Sequence, residues 1–387
     1  MQRATTPSPR HALTDLARLF LRLGSTAFGG PAAHIAMMED EVVTRRRWLT
    51  REEFLDLVGA THLIPGPNST ELAIHIGFLR AGWAGLLVAG CCFILPAALI
   101  VGGLAWAYVR FGALPQLGGL LYGVKPVVIA IVAQALWRLG RSALTSRTRE
   151  GLAIVAVAMA MFGINEFAVL AIVGLLAVLV LRPPPTASMA VVAPVGLWPA
   201  AVASGGMAAA TTGAGLWPLF WFFAKVGSVL FGSGYVLLAF LRSGLVVDRA
   251  WLTEAQLLDA IAIGQVTPGP VFTTATFVGY LVAGGAGAVV ATVGIFVPAF
   301  FFVAVSGPLL PRIRRSRVAG AVLDGVNVAS LALMAVVTIQ LAGAALVDPL
   351  TVALALTSAG LLAGTRLNSA WIVVGGALIG VGASALA

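Results

Sequence analysis

Charge is scarce in this sequence. Only 10% of its 387 residues are charged while 59% are hydrophobic, too little polarity to cover a water-soluble domain of this size. Cysteine is nearly absent: Cys91 and Cys92 are adjacent inside an apolar run, where neither a disulfide framework nor a spaced metal site can be built, so both read as small packing residues. The 4 histidines are scattered. No nucleotide fingerprint, Walker motif, nucleophile constellation or metal-ligand spacing is present, so no enzyme, cofactor or metal is expected. A net charge of +9 could indicate nucleic acid, but the basic residues fall in short clusters between apolar runs, as cytoplasmic loops do. Short segments of alternating polarity, the mark of a transmembrane barrel, are also missing.

What is abundant is uninterrupted apolar sequence. Mean hydropathy is +0.99, and runs such as 81–109 and 286–309 are long enough to cross a bilayer as helices. The fold class expected is therefore an all-α polytopic membrane protein. Residues 1–11 hold Arg3, Arg10 and two prolines with no apolar core, so they are expected to form a cytoplasmic tail and not a cleaved signal peptide.

The chain repeats itself. At an offset of 203 positions "FLRLGSTAFGG" from Phe20 falls on "FAKVGSVLFGS" from Phe223, Trp48-Leu49-Thr50 on Trp251-Leu252-Thr253, Asp56 on Asp259, and Pro65-Gly66-Pro67 on Pro268-Gly269-Pro270. One residue is lost afterwards, so that Gly77, Gly82 and Gly85 match Gly279, Gly284 and Gly287, and Gly123-Val124 matches Gly325-Val326. Two homologous repeats, 12–182 and 217–387, joined by a linker at 183–216, account for these coincidences. Basic clusters give their orientation. Arg138, Arg141, Arg147 and Arg149 follow the helix expected near 115–136, whereas Arg312, Arg314, Arg315 and Arg317 precede its counterpart near 318–340. By the positive-inside rule the halves are inverted relative to each other. Each is expected to end in a helical hairpin, 151–162 with 167–181 and 346–363 with 371–386. Inversion then requires an odd crossing in the linker, for which residues 190–210 are the candidate.

Parity makes each Pro-Gly-Pro segment a re-entrant, broken helix. The first proline disfavours helix at the residue before it, glycine permits a turn, and the last proline starts the second half-helix. A helix that begins inside the membrane directs unsatisfied N–H groups and the positive end of its dipole inward, which favours an anion. Asn68, Ser69 and Thr70 follow Pro67, and Thr273 follows Pro270. The candidate substrate-binding set is therefore Pro65, Gly66, Pro67, Asn68, Ser69, Thr70, Gly269 and Thr273. To it are added Gly29, Gly30 and Gly232, at Gly-rich breaks, and Arg22 and Lys225, cations at equivalent places within apolar stretches. Each has a plainer alternative: proline kinks and small residues pack helices, and Arg22 and Lys225 could snorkel to the interface. Candidate proton carriers are Glu71 and His75, one turn apart on the second half-helix, and the duplicated Asp56 and Asp259, for which a structural pair and interfacial caps are the alternatives.

"FGGPAAHIAMMEDEVV", "PGPNSTELAIHIGFLRAGWAGLLVAGCCFILPAALI" and "LFGSGYVLLAFL", with the duplicated architecture, resemble the chromate ion transporter family in its long, two-domain form. The resemblance covers both halves. It implies a secondary transporter in the cell inner membrane that exports chromate from the cytoplasm and confers chromate resistance, driven by the membrane potential or a proton gradient. Sulfate, the look-alike oxyanion, is the alternative cargo. The expected partners are the oxyanion, the lipid bilayer and, in a homodimer, a second copy of the chain, with no nucleic acid. One departure is His62, which stands where the second half has Gln265 before its Pro-Gly-Pro.

Overall fold

The computed structural model describes residues 9–28, 30–112, 115–181, 215–231, 236–365, 367 and 369–386. Among these every regular element is helical. In the first half α1 spans Pro9–Thr26, α2 Gly30–Glu39 (continued by a π-helical turn at Asp40–Arg45), α3 Arg51–Thr61, α4 Asn68–Phe111, α5 Pro115–Ala143, α6 Arg147–Met161 and α7 Glu166–Leu181. The second half repeats the order: α8 Leu216–Val229, α9 Leu237–Leu241 (with a π-helical turn at Arg242–Val247), α10 Glu254–Val266, α11 Thr274–Arg315, α12 Arg317–Ala345, α13 Pro349–Gly364 and α14 Ser369–Leu386. The linker crossing at 190–210 lies outside the described residues.

The two halves share local devices that sequence chemistry explains. α3 and α10 both start with a capping box, Thr50 with Glu53 and Thr253 with Gln256, each satisfying two orphan amides. Immediately before them Arg47 and Ala250 take left-handed backbone angles (φ 52° and 50°). The long helices α4 and α11 are each broken by the same pair of residues, Ala81-Gly82 and Ala283-Gly284, with glycine φ near +60°. The chain doubles back there. Gly77 lies against the carbonyl of Gly85, and Gly279 against that of Gly287, at distances where any side chain would collide. The apolar run at 81–109 therefore begins at a hairpin, with a short leg at 68–80 folded onto it. At the foot of that leg Arg80 stacks over Trp48, 4.9 Å from the ring centroid, so the chain from α3 through Pro-Gly-Pro returns to the level at which it started.

Among the described residues, four helical stretches, Asn68–Phe111, Gly118–Ala143, Val271–Ser306 and Val318–Ala345, are long and apolar enough to cross a membrane, and their exposed faces carry residues such as Leu87, Leu99, Val293 and Phe301. This is a multi-pass membrane protein. The hairpins at the ends of the halves are exchanged: α6 and α7 pack on α12, while α13 and α14 pack on α5. Small residues allow the close approach, Gly123 meeting Gly376 and Gly380, and Gly325 meeting Gly174 and Ala177.

Candidate functional site

Each half contains two places where helix stops inside the fold. α1 ends at Thr26 and α2 starts at Gly30, whose φ is +76°; α3 ends at Thr61 and α4 starts at Asn68. Pro65 and Pro67 lack the amides a continuous helix needs, and Gly66 (φ +142°) and Gly269 (φ +90°) turn the chain through angles that side-chain-bearing residues resist. The breaks interlock across the halves. Gly66 N–H donates to the carbonyl of Leu230 at 2.7 Å, and Gly269 N–H donates to that of Ala27 at 2.9 Å. Leu230 and Ala27 are repeat equivalents, as are the two glycines, so the bonds are reciprocal. Ala299 flanks Gly66 just as Ala97 flanks Gly269. Four chain breaks are thereby gathered at one centre.

A cavity of about 950 Å³ opens from this centre. Phe28, Pro31, His62 and Asn68 line it from the first half's breaks, and Phe231 and Val236 from the second's. Its walls are α5, from Ile131 to Ala143, and α12, from Asp324 to Met334, giving a length of about 18 Å along α5. The polar groups on these walls are spaced to share a helix face: Gln134, Arg138 and Ser142 on α5, Asp324, Asn327 and Ser330 on α12. At the far end Arg149 donates to Asp324 at 2.7 Å, so the lining carries two guanidinium groups against one carboxylate.

The expected site residues divide. Asn68 lines the cavity; its Nδ2 lies 3.0 Å from His62 Nδ1 while its Oδ1 has no partner among the described residues. Ser69 is buried behind it, with Oγ 3.3 Å from Nδ1 of His34, whose other ring nitrogen meets the carbonyl of Ala27. Thr70 and Glu71 are fully buried and His75 nearly so, and Thr70 Oγ1, both Glu71 carboxylate oxygens and His75 Nε2 lack partners among the described residues. Thr273 donates its hydroxyl back to Pro270 O. Gly66 and Gly269 spend their amides on the other half, and Pro65 and Pro67 are buried beside them. Gly29 and Gly232 lie outside the described residues.

The two cations are elsewhere. Arg22 is half exposed and paired with Glu41 at 2.5 Å, and neither it nor the half-buried Lys225 lines the cavity. Burial works against the Glu41 carboxylate, but hydrogen bonds and charge from Arg22 and Arg46 outweigh it and hold the group below the usual carboxylate range. The duplicated aspartates differ: Asp56 is exposed, whereas Asp259 is buried against Lys125 and Tyr108. Sequence reasoning missed Gln134, Arg138, Asn327 and Ser330. A lone amide or hydroxyl on an apolar helix, repeated at i+3 or i+4, was the available signal.

The family model for chromate transporters matches the chain twice, over residues 14–181 and 217–381. The chain belongs to the chromate transporter family. It is a transport protein and not an enzyme. It is similar to the chromate transport protein of Cupriavidus metallidurans, 35% identical over 97% of this chain and 94% of the relative. It is also similar to that of Pseudomonas aeruginosa, 34% identical over 92% and 89%, and to a probable chromate transport protein of Synechococcus elongatus, 32% identical over 83% and 82%. No solved structure matches.

Proposed function

We propose that this chain is a secondary transporter exporting chromate from the cytoplasm across the inner membrane, with the oxyanion held among broken helix ends between two inverted halves. The reciprocal Gly66–Leu230 and Gly269–Ala27 bonds carry the reading, because they bring four chain breaks, and with them helix N-terminal amides, to one centre beside a cavity. Inversion is supported by end contacts. Tyr122, near the start of α5, donates to Asp348, just past the end of α12, while Arg149, past the end of α5, meets Asp324 near the start of α12. Equivalent helices thus run antiparallel. The repeats assigned are 12–182 and 217–387.

The positive-inside rule puts Arg138, Arg141, Arg147 and Arg149 in the cytoplasm, so the cavity walled by α5 faces inward. A cytoplasmic dianion entering it meets a net positive wall and then Asn68, His62 and the first amides of α4. Export is electrically downhill, about 4.6 kcal/mol per 100 mV for two charges, so the potential alone can drive it. Proton exchange is assigned to Glu71 and His75. Both are buried on α4 one turn apart, Glu71 lies directly behind Gly66, and the second half has Thr274 and Val278 in their places. Sulfate is the second reading, favoured by the donor set itself, since amides and guanidinium groups do not tell one tetrahedral dianion from another.

The test is labelled chromate uptake by everted membrane vesicles, with sulfate as competitor and with the proton gradient set or collapsed. Chromate accumulation that excess sulfate reduces only weakly is expected. Accumulation of sulfate in preference to chromate selects the second reading, and uptake of neither rejects both.

A further inference from the structure

The cavity faces one way, and the asymmetry between the halves identifies what closes the other. α10 packs against α5, α12 and α14, whereas its repeat equivalent α3 packs chiefly on α4 and α2. Where α10 meets α5, Lys125 Nζ lies 3.0 Å from Asp259 Oδ1, and the Tyr108 hydroxyl donates to Asp259 Oδ2 at 2.9 Å. The Asp259 side chain is only 5% exposed and that of Lys125 20%. This triad ties α5 and the end of α4, both of the first half, to α10 of the second. It lies on the closed side of the helix breaks: on α5, Lys125 is six positions before Ile131, where the cavity begins, and it is one turn from Tyr122, which meets the Asp348 loop.

We propose that Lys125 is the cation of a second, outward-facing oxyanion site, kept shut in this state by Asp259 and Tyr108. The repeat supplies the argument. Lys125 in Gly123-Val124-Lys125 is the equivalent of Asn327 in Gly325-Val326-Asn327, and Asn327 lines the open cavity. If the halves exchange conformations during transport, the equivalent of a residue that faces the inward cavity faces the outward one. Asp259 does not share that fate, because its equivalent Asp56 is not among the cavity-lining residues. When α10 leaves α5, therefore, Lys125 turns to the outer cavity without its carboxylate. A departing dianion takes Asp259's place on the ammonium, and re-formation of the pair expels it. This also supplies the buried cation near the path that neither Arg22 nor Lys225 provides.

The inference rests on the alternating-access reading above, and the wild-type flux assay tests that reading separately. Right-side-out vesicles carrying wild type, Lys125→Gln or Asp259→Asn are compared for binding of labelled chromate added outside. Asp259→Asn frees the ammonium and is expected to tighten external binding about threefold or more, whereas Lys125→Gln abolishes it, at equal membrane abundance. External binding unchanged or weakened by Asp259→Asn overturns the proposal. The charge swap Lys125→Asp with Asp259→Lys keeps the pair and decides the matter even if a single variant fails to reach the membrane. A purely structural pair survives the swap with transport intact, which contradicts the proposal; an anion site at position 125 loses transport at least tenfold, about one charge-assisted contact.

Discussion

Substituting Gly269 by alanine tests whether the crossed Pro-Gly-Pro turns hold the two halves together. Its φ of +90° is one that alanine resists, at a cost of about 1–3 kcal/mol. The added Cβ would also sit 2.6 Å from Ala97 Cβ and 2.8 Å from the Gly24 carbonyl oxygen, both on the opposite half. Neither neighbour has a flexible end to move aside, so overpacking adds about 1–3 kcal/mol. Displacing the turn also weakens the Gly269 to Ala27 hydrogen bond, a further ~1 kcal/mol. The total, about 3–7 kcal/mol, is a large part of the ~5–15 kcal/mol that usually separates folded from unfolded protein. Gly82→Ala is the control. Gly82 has φ +59° and ψ −145°, a combination that glycine alone adopts freely, but nothing within 4 Å of a Cβ, so it should lose only the backbone strain, about 1–3 kcal/mol. Thermal unfolding of both variants purified in the same detergent, beside chromate flux in vesicles, checks the order. Gly269→Ala should unfold at a clearly lower temperature than Gly82→Ala and lose transport, while Gly82→Ala, destabilised by backbone strain alone, keeps it. A silent Gly269→Ala, or a Gly82→Ala equally damaging, refutes the interlock.

Arg22→Gln should lower stability by no more than about 1 kcal/mol and leave chromate affinity unchanged, because the half-exposed guanidinium serves Glu41 and not the cavity; equilibrium chromate binding checks this. The Glu41 carboxyl is held below its ordinary value, so its contribution to stability is complete above about 4.5 and fades as pH falls through the lower folded value. Melting curves of wild type and Glu41→Gln should accordingly differ at neutral pH and converge in acid. Single cysteines near Ser146 and Ser316 should label from the cytoplasm, and one near Asp348 from outside. Opposite labelling of the first two contradicts inversion. Glu71→Gln should uncouple flux from the proton gradient while leaving potential-driven export, measured as vesicle uptake with each gradient imposed alone.

Much of this architecture is written in the repeat. The aligned Pro-Gly-Pro motifs, the WLT triplets and the three glycines Gly77, Gly82 and Gly85 correspond to the crossed turns, the capping boxes and the hairpin at Ala81-Gly82. Those features depend on backbone angles and missing amides, which glycine and proline announce wherever they stand. Side-chain direction is different. Arg22 looked like a ligand because it is a cation in an apolar stretch, yet its partner Glu41 lies beyond a helix break, and nothing local says which way α1 faces. Asp56 and Asp259 are equivalent in sequence but one is exposed and the other clamped, because α10 packs on α5 whereas α3 packs chiefly on α4 and α2. Equivalent positions in a repeat do not record which neighbours each will meet. The cavity wall was obscure for a related reason: Gln134 and Asn327 come together only through the packing of α5 on α12.

The most direct test of an oxyanion path through this cavity is protection of a single cysteine at Asn68, with Cys91 and Cys92 replaced by alanine. A membrane-impermeant thiol reagent should modify Asn68→Cys in everted vesicles and not in right-side-out ones, and chromate should slow that reaction in proportion to its occupancy of the site. Modification from the outer face in the resting protein, or a rate that saturating chromate leaves unchanged, would contradict the account.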